Sequence, residues 1–312
     1  MLRLPLLLLL APLSVLSLPI SSSTLQLIFQ FPDQRVENLA VRSNGHLLLT
    51  FDNEPYVYDL DPTAQQPAPT LVHQFSGVSS TVGIAETSPD IFAVITGNAS
   101  DVTLLGVPGS FSLWSVDLNP PEPTAKLITS IPEADSLNGL TTLNGSPDIV
   151  LIADSTLGAV WRVNIVTGDY SIAIQSPFFT PSSNSSIPGR GINGVHTFGG
   201  MLYFTNSAQE TFGRVTITND GSASGEVETL GVPLAAYDDF AFDGEGNAWI
   251  ATHPNSLSEV NTEGELSNIS NNTDFSQPTA VNFGRGSMQE KNTLYMTTYG
   301  STTGGSVIAI NV

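Results

Sequence analysis

Six segments of the chain repeat one pattern of hydrophobic and polar positions. In each, a short run rich in Val, Ile, Leu or Phe is followed by a Gly/Asn/Asp turn, a second apolar run, a loop and a third apolar run. The segments read VENLAVRSNGHLLLTFDNEPYVYDLD from Val36, VGIAETSPDIFAVITGN from Val82, LNGLTTLNGSPDIVLIADSTLGAVWRVN from Leu137, INGVHTFGGMLYFTNSAQETFGRVTI from Ile192, YDDFAFDGEGNAWIATHPNSLSEVN from Tyr237 and PTAVNFGRGSMQEKNTLYMTTYGSTTGGSVIAIN from Pro278. Their starts recur roughly every 40 to 55 residues, which is the spacing of propeller blades, and the pattern predicts an all-β, six-bladed β-propeller.

The turns between the apolar runs support this prediction. Pairs such as Asn44-Gly45 and Gly199-Gly200 tolerate positive φ and are typical of tight β-hairpins. One small sheet cannot bury both of its faces, whereas six sheets stacked around an axis can. A β-sandwich or a pair of barrels is the alternative architecture, but six repeats in phase favour the propeller.

The two ends of the chain predict how the ring closes. The last repeat reaches Val312 with only three strands, and a strand-like segment, Thr24 to Gln30, precedes the first repeat. We therefore expect this N-terminal strand to complete the last blade.

The first residues predict a secreted protein. A charged start at Arg3 and an apolar run to Leu18 are typical of a signal peptide, here residues 1–17, which leaves residues 18–312 as a single propeller domain. The run is too short for a membrane span, so we expect no membrane insertion. Five Asn-X-Ser/Thr sequons predict N-glycosylation, and they begin at Asn98, Asn144, Asn184, Asn268 and Asn271.

Composition excludes several classes of function. The chain has no cysteine, so neither disulfides nor a thiolate nucleophile is available. Its 29 acidic and 9 basic residues give a formal charge of −20, which disfavours nucleic acid as a partner. No Ser-His-Asp spacing or Gly-rich phosphate loop occurs.

Polar residues recur at the start of the predicted innermost strands. In a propeller these strands line the axial channel, so residues at the same position in different repeats meet at one height. The six repeats place there Glu37, Ile84, Asn138, Asn193, Asp238 and Thr279. Carboxylate and amide oxygens around one axis suit Ca²⁺, so a Ca²⁺ ion in the channel is the predicted cofactor. Taken singly, each Asn or Asp more often caps a turn; the joint pattern, and Glu37 above all, favours the ligand interpretation.

These segments resemble the SMP-30/gluconolactonase family of six-bladed propellers. The resemblance covers the whole mature chain and is carried by VENLAV, INGV and YDDFAFDGEGNAWIA. It implies that Glu37, Asn193 and Asp238 are metal ligands, that Asn138 contacts metal or substrate, and that Asp238 is the general base of a lactonase. In this chain Asn38 and Asp239 stand where the family usually has Gly.

The beginning of the domain, FQFPDQRVENLAVRSNGHLLLT, resembles a secreted fungal branch of the same superfamily more closely. That branch includes hetero-Diels-Alderases of meroterpenoid secondary metabolism, which join a tropolone quinone methide to humulene. The resemblance implies a pericyclase with two small-molecule substrates, and a cycloaddition requires no cofactor because it can proceed by holding two reactants in a reactive pose.

Loops at the expected ligand-binding mouth supply candidate side chains for this reaction. Arg190 and His253 are predicted as donors to a substrate carbonyl, and His196, on the inner strand, is a further candidate. The predicted apolar walls are Phe178, Phe179, Phe212 and Tyr299, although aromatic residues beneath loops more often serve packing.

Two other functions remain open on the sequence alone. One is a Ca²⁺-dependent lactonase, in which the metal polarises the lactone and Asp238 activates water. The other is a non-catalytic extracellular propeller that presents its loops to a binding partner.

Overall fold

A computed structural model describes residues 25–100, 103, 105–185, 187–231 and 235–312. The predicted signal peptide therefore lies outside the described residues. The strand before the first sheet is β1 (Leu25–Gln30). The first sheet contains β2 (Val36–Val41), β3 (Leu47–Phe51), β4 (Tyr56–Leu60) and β5 (Thr70–Gln74), and the second contains β6 (Ser80–Ser88), β7 (Ile91–Gly97), β8 (Ser112–Asp117) and β9 (Thr124–Ser130).

The third sheet contains β10 (Leu137–Leu143), β11 (Ser146–Asp154), β12 (Ala159–Asn164) and β13 (Tyr170–Gln175). The fourth contains β14 (Ile192–Phe198), β15 (Met201–Asn206), β16 (Thr211–Thr216) and β17 (Glu228–Leu230). The fifth contains β18 (Tyr237–Phe242), β19 (Ala248–Thr252), β20 (Ser256–Val260) and β21 (Leu266–Asn271). The sixth contains β22 (Pro278–Phe283), β23 (Thr293–Thr298) and β24 (Ser306–Asn311), with one helical turn, α1 (Met288–Lys291), between its first two strands.

Each sheet is a four-stranded antiparallel meander, and the sheets form a ring. Every inner strand contacts the inner strand of the next sheet, and β22 returns to contact β2. The six-bladed propeller predicted from the repeats is therefore confirmed.

The N-terminal strand closes the ring as predicted. β1 pairs antiparallel with β24, with Leu25 opposite Ile310 and Gln30 opposite Ser306, so the sixth sheet has the order β1-β24-β23-β22. The Gln30 side chain adds a hydrogen bond of 3.0 Å to the Gly305 carbonyl oxygen.

The apolar core lies between the sheets. Six clusters of buried side chains occupy the six junctions between neighbouring blades. The second strand β3 is covered on both faces and reads as a continuous apolar run, whereas the outer strands β5 and β21 have exposed and half-buried positions. The difference follows from position, since only an inner or second strand lies between two other blades.

The predicted glycosylation sites differ in exposure. Asn144, Asn184, Asn268 and Asn271 are exposed, and Asn98 is half-buried. Their modification stays a prediction. Within the described ranges, no helix has the length and apolar character needed to cross a bilayer.

Candidate active site

A β-bulge at the same height in each inner strand shapes the channel. In β2 the pairing register shifts between Val36 and Asn38, in β18 it shifts between Tyr237 and Phe240, and the other four inner strands shift at the equivalent place. A regular strand sends consecutive side chains to opposite faces, but a bulge re-aims them. Consecutive polar residues therefore reach the axis at two successive levels.

We call the upper of these levels the upper ring, formed by Glu37, Asn138, Asn193 and Asp238. All four line one narrow cavity at the axis, with a volume of about 40 Å³. The predicted convergence in space is thus present for these four residues. In the second repeat, however, Val82 lines the cavity, while the expected residue, Ile84, packs in the core between the first two blades.

A second set of polar side chains lines the same space from the ends of the second strands. Asp52, Ser155 and Tyr299 line the cavity, each just beyond the strand that pairs with an inner strand. Sequence reasoning did not single out Asp52. The signal was available, because a polar residue follows the second strand at the equivalent place in several repeats, as at Ser155, Ser207 and His253.

Glu37 is the most strongly perturbed acid of the upper ring. The pKa of its carboxyl is raised to about 8, chiefly by burial and further by repulsion from Asp238 and Asp52, with Arg190 and Tyr299 opposing the shift. Its Oε2 atom is buried and has no hydrogen-bond partner. At neutral pH the Glu37 carboxyl is therefore mostly protonated and can donate a hydrogen bond into the cavity.

This shift predicts a pH-dependent stability difference between the wild type and Glu37→Gln. Between pH 4.5 and about 8 the folded state holds the Glu37 proton and the unfolded state has released it. The stabilisation is therefore complete below pH 4.5 and is lost as pH rises, by up to about 1.4 kcal/mol per pH unit. The uncharged amide of the variant removes this term, so urea unfolding from pH 5 to 9 should show a flatter profile for Glu37→Gln. The exposed control Glu226→Gln should follow the wild-type profile; parallel profiles for wild type and Glu37→Gln would contradict the assignment.

Asp52 is also buried, and burial raises the pKa of its carboxyl, with Arg35 the main opposing group. The Arg35 Nε atom lies 2.9 Å from Asp52 Oδ1. The two groups form an ion pair without the alignment of a hydrogen bond, so both Asp52 oxygens lack a donor. The cavity wall near Asp52 therefore accepts hydrogen bonds.

Asp238 belongs to a chain of three side chains. Its Oδ2 atom lies 2.9 Å from His253 Nε2, and His253 Nδ1 lies 2.6 Å from Gln277 Oε1. Burial alone would lower the pKa of His253, but the hydrogen bond and the charge of Asp238 outweigh it and raise the pKa. Since both ring nitrogens face oxygen atoms, the protonated imidazole is the form that satisfies both contacts.

Arg190 brings a positive charge to the acids. It lines the axial cavity together with Glu37, Asp52 and Asp238. Burial would lower the pKa of its guanidinium, but attraction from Tyr299, Asp238, Glu37 and Asp52 raises it. Arg190 is thus a permanent cation among the oxygens of the upper ring.

The donor set suits this guanidinium better than a Ca²⁺ ion. Two buried oxygens without a donor, Glu37 Oε2 and Asn193 Oδ1, would accept a hard cation. Asp238 is already engaged by His253, however, and Arg190 supplies a positive charge to the same cavity. The residues therefore do not fit the predicted Ca²⁺ site, and no chemical step is derived through a metal.

A second polar level, which we call the lower layer, lies further along the inner strands, one residue after Glu37 and Asp238 and three residues after Asn193. It is formed by Asn38, Asp239 and His196, none of which lines the axial cavity. Asn38 Nδ2 donates to Asp239 Oδ2 at 2.8 Å, and Asp239 Oδ1 lies 2.9 Å from His196 Nε2. Because these residues come from the first, fifth and fourth blades, the lower layer bridges the channel. A side chain at Gly194 would collide with Asp239, so the glycine makes room for this contact.

The pair at the centre of the lower layer predicts a measurable coupling energy. A double-mutant cycle with Asn38→Ala and Asp239→Ala should give about 1.5–3 kcal/mol by urea unfolding, because a buried hydrogen bond to a charged group contributes this much. The exposed pair Arg214–Glu228, with 3.1 Å between its charged atoms, is the matched control and should give less than about 1 kcal/mol. Equal coupling in the two cycles would count against the bridge.

An open cup adjoins the axial cavity on the side of the fourth to sixth blades. It shares Arg190, Asn193, Asp238 and Tyr299 with that cavity and adds His253 and Gln277. Ile187, Ala235, Ala236 and Pro254 contribute its apolar surface. The cup has a volume of about 720 Å³, which lies within the roughly 300–1,000 Å³ range of small-molecule pockets.

The remaining candidate residues lie elsewhere. Phe179 and Phe212 are fully buried and pack on Phe204 and Phe240, respectively, so they belong to the core rather than to the cavity wall. Phe178 is 40% exposed and lines neither the cavity nor the cup. Among the four predicted aromatic walls, only Tyr299 lines the site, and its hydroxyl approaches Glu37 and Asp52.

Comparison with solved structures supports the six-bladed fold. A luciferin-regenerating enzyme aligns with a TM-score of 0.66 at 15% identity, covering 92% of this chain and 95% of that one. A gluconolactonase from Xanthomonas campestris aligns with a TM-score of 0.64 at 12% identity, covering 92% and 89%. At these identities the likeness shows the fold alone, that of a six-bladed propeller.

Sequence comparison identifies two relatives whose names state an activity. The chain is 28% identical over 303 residues to a protein of Phoma sp. named "Putative hetero-Diels-Alderase", covering 87% of this chain and 86% of the relative. A protein of Sarocladium schorii with the same description is 27% identical over 299 residues, covering 84% and 74%. No family model matches the chain. The two named relatives agree with the resemblance inferred from the sequence motifs.

Proposed function

We propose that the protein is a secreted hetero-Diels-Alderase, which joins a tropolone quinone methide to a humulene-type sesquiterpene. The observation that carries this proposal is the cationic and hydroxyl donor pair, Arg190 and Tyr299, at the junction of a polar cavity and a larger cup. The two named relatives, each matched over most of this chain, support the same reaction class.

The reaction needs little from the protein beyond binding and polarisation. The heterodiene C=C–C=O unit and the alkene form one C–C and one C–O bond while π bonds are consumed, so no proton or leaving group is transferred. Electron density moves from the terpene alkene toward the carbonyl oxygen of the quinone methide. A donor held at that oxygen lowers the barrier, because it binds the growing negative charge more strongly than it binds the reactant.

Arg190 is the residue we assign to this carbonyl. Its charge is permanent, it lines both the cavity and the cup, and burial strengthens its field at a bound oxygen. Tyr299 and the protonated Glu37 carboxyl are further donors on the same wall. The cup adds a second contribution by holding the alkene in a near-attack position, which offsets the entropy of bringing two molecules together.

Hydrolytic chemistry is supported less well. A Ser nucleophile would need its hydroxyl beside a histidine that acts as base. His253 instead contacts Asp238 and Gln277, and His196 contacts Asp239. Asp238 is held by His253 and is not placed as an open base for water.

The proposed reaction is tested by incubating the purified mature chain with a quinone-methide precursor and humulene. We expect the adduct to form faster than the spontaneous background and with a single relative configuration. A rate and stereochemistry equal to background would overturn the proposal. A panel of lactones, with and without added Ca²⁺, tests the lactonase alternative in the same preparation.

A further inference from the structure

Acidic groups are concentrated at the axis of the propeller. Three carboxyl groups, those of Glu37, Asp52 and Asp238, line one cavity, and Glu37 and Asp52 carry buried oxygens without a donor. Such a cluster is costly to bury unless a cation offsets the repulsion. The molecule must therefore contain its own compensating charge or bind one.

We infer that the Arg190 guanidinium takes the place of a divalent cation at the upper ring and makes this propeller independent of metal. The inference concerns binding and stability, so it stands whether or not the protein catalyses a cycloaddition.

The position of Arg190 supports this inference. It is the cation that lines the axial cavity within the described part of the chain, and it interacts with Asp238, Glu37 and Asp52 together. A guanidinium is charged at every physiological pH and presents five N–H donors in a plane, so one side chain can serve several oxygens at once. A bound Ca²⁺ in the same cavity would be repelled by this fixed charge.

The side chains beside the upper ring support the same inference. His253 occupies Asp238 Oδ2, and Ser207 Oγ accepts from Asn193 Nδ2 at 2.9 Å and thereby sets the orientation of that amide. Arg35 lies beside Asp52 on the outer side of the cavity. Positive or donor groups thus already stand beside most of the oxygens that a metal would need.

The test measures Ca²⁺ binding rather than activity. The mature wild-type chain, stripped with EDTA, should show no heat of Ca²⁺ binding by titration calorimetry and no change in Tm with millimolar Ca²⁺. Arg190→Met removes the charge but keeps a similar length. This variant should melt lower than wild type without metal and should regain several degrees in Tm when Ca²⁺ binds, because a ligand that binds only the folded state stabilises it.

Two further variants make the result specific. Arg190→Lys keeps a positive charge and should remain insensitive to Ca²⁺. Arg162→Met removes an arginine that pairs with Asp220 at 2.7 Å far from the axis, and it should behave as wild type toward Ca²⁺.

The Ca²⁺ responses of the wild type and of Arg190→Met decide whether the inference holds. Binding of Ca²⁺ by the wild type, or a fall in its Tm after EDTA treatment, would overturn the inference even if Arg190→Met failed to fold. An Arg190→Met variant that folds but gains no stabilisation from Ca²⁺ would also overturn it. An insensitive wild type together with a Ca²⁺-responsive Arg190→Met variant would establish it.

Discussion

The variant Arg190→Met is expected to lower kcat/KM for the cycloaddition by about 100-fold, the loss typical of removing one preorganised donor from a developing oxyanion. The reason is that a neutral thioether cannot stabilise the negative charge that builds on the carbonyl oxygen when C–C bond formation runs ahead of C–O bond formation. Because this charge is largest in the transition state, the loss should fall mainly on kcat, with a smaller change in KM. The measurement is the rate of adduct formation under single-turnover and steady-state conditions.

Two controls separate this effect from a general disturbance. Arg162 pairs with Asp220 away from the axial cavity, so Arg162→Met should keep the wild-type rate. Arg190→Lys keeps the charge but not the planar donor array and should retain an intermediate rate. Full activity in Arg190→Met would remove Arg190 from the mechanism, and a change confined to KM would make it a binding residue only.

Removal of the N-terminal strand is expected to abolish cooperative folding. A chain that starts at Phe31 lacks β1, so β24 loses its antiparallel partner and becomes an exposed edge. Ile28, which is 8% exposed, leaves the cluster at the junction between the sixth and first blades. Since a whole domain is stabilised by only about 5–15 kcal/mol, opening the ring at this junction removes most of that margin. The measurement is the urea unfolding curve, with size-exclusion chromatography to detect aggregation.

The geometry supplies a matched control for this truncation. Leu25 lies opposite Ile310, so a short turn after Val312 can lead directly into residues 25–30 as a hairpin. This circular rearrangement should restore a single cooperative transition, whereas the same turn followed by a scrambled strand should not. A truncated chain that unfolds like the wild type would show that β1 does not close the ring.

The repeats made the fold predictable because each blade carries its own pattern. The alternation of apolar runs and turns identified the six sheets, and the count of three strands in the last repeat identified the need for β1. The same reasoning placed Glu37, Asn138, Asn193 and Asp238 in one cavity, since equal positions in a ring meet at equal height.

The parts that could not be predicted depend on local irregularity and on charge. The register of β6 shifts after Thr81 as that of β10 shifts after Leu137, so Val82 is the equivalent of Asn138 and faces the cavity, whereas the sequence pattern had placed Ile84 there. The Asn38–Asp239 contact joins residues that are 201 positions apart, and the substitution of two glycines gave no hint that they pair. The Ca²⁺ site was predicted from the recurring oxygen-bearing side chains alone. Arg190, which was predicted only as a hydrogen-bond donor to substrate, brings a positive charge to the same cavity.

The positions of the loop aromatic residues differ from the prediction for another reason. Phe179 follows β13 and Phe212 lies within β16, and both side chains turn inward because an apolar ring gains more from burial between blades than at a solvated mouth. Tyr299 remains at the site because its hydroxyl has polar neighbours there.

The bridge formed by Asn38, Asp239 and His196 has a kinetic consequence. It joins the first and fifth blades across the interior of the ring, at a level that does not line the axial cavity. We therefore expect both reactants and their larger adduct to enter and leave through the cup that adjoins this cavity. An adduct that departs slowly would block the next pair of reactants, so product inhibition is the expected signature of turnover in this protein.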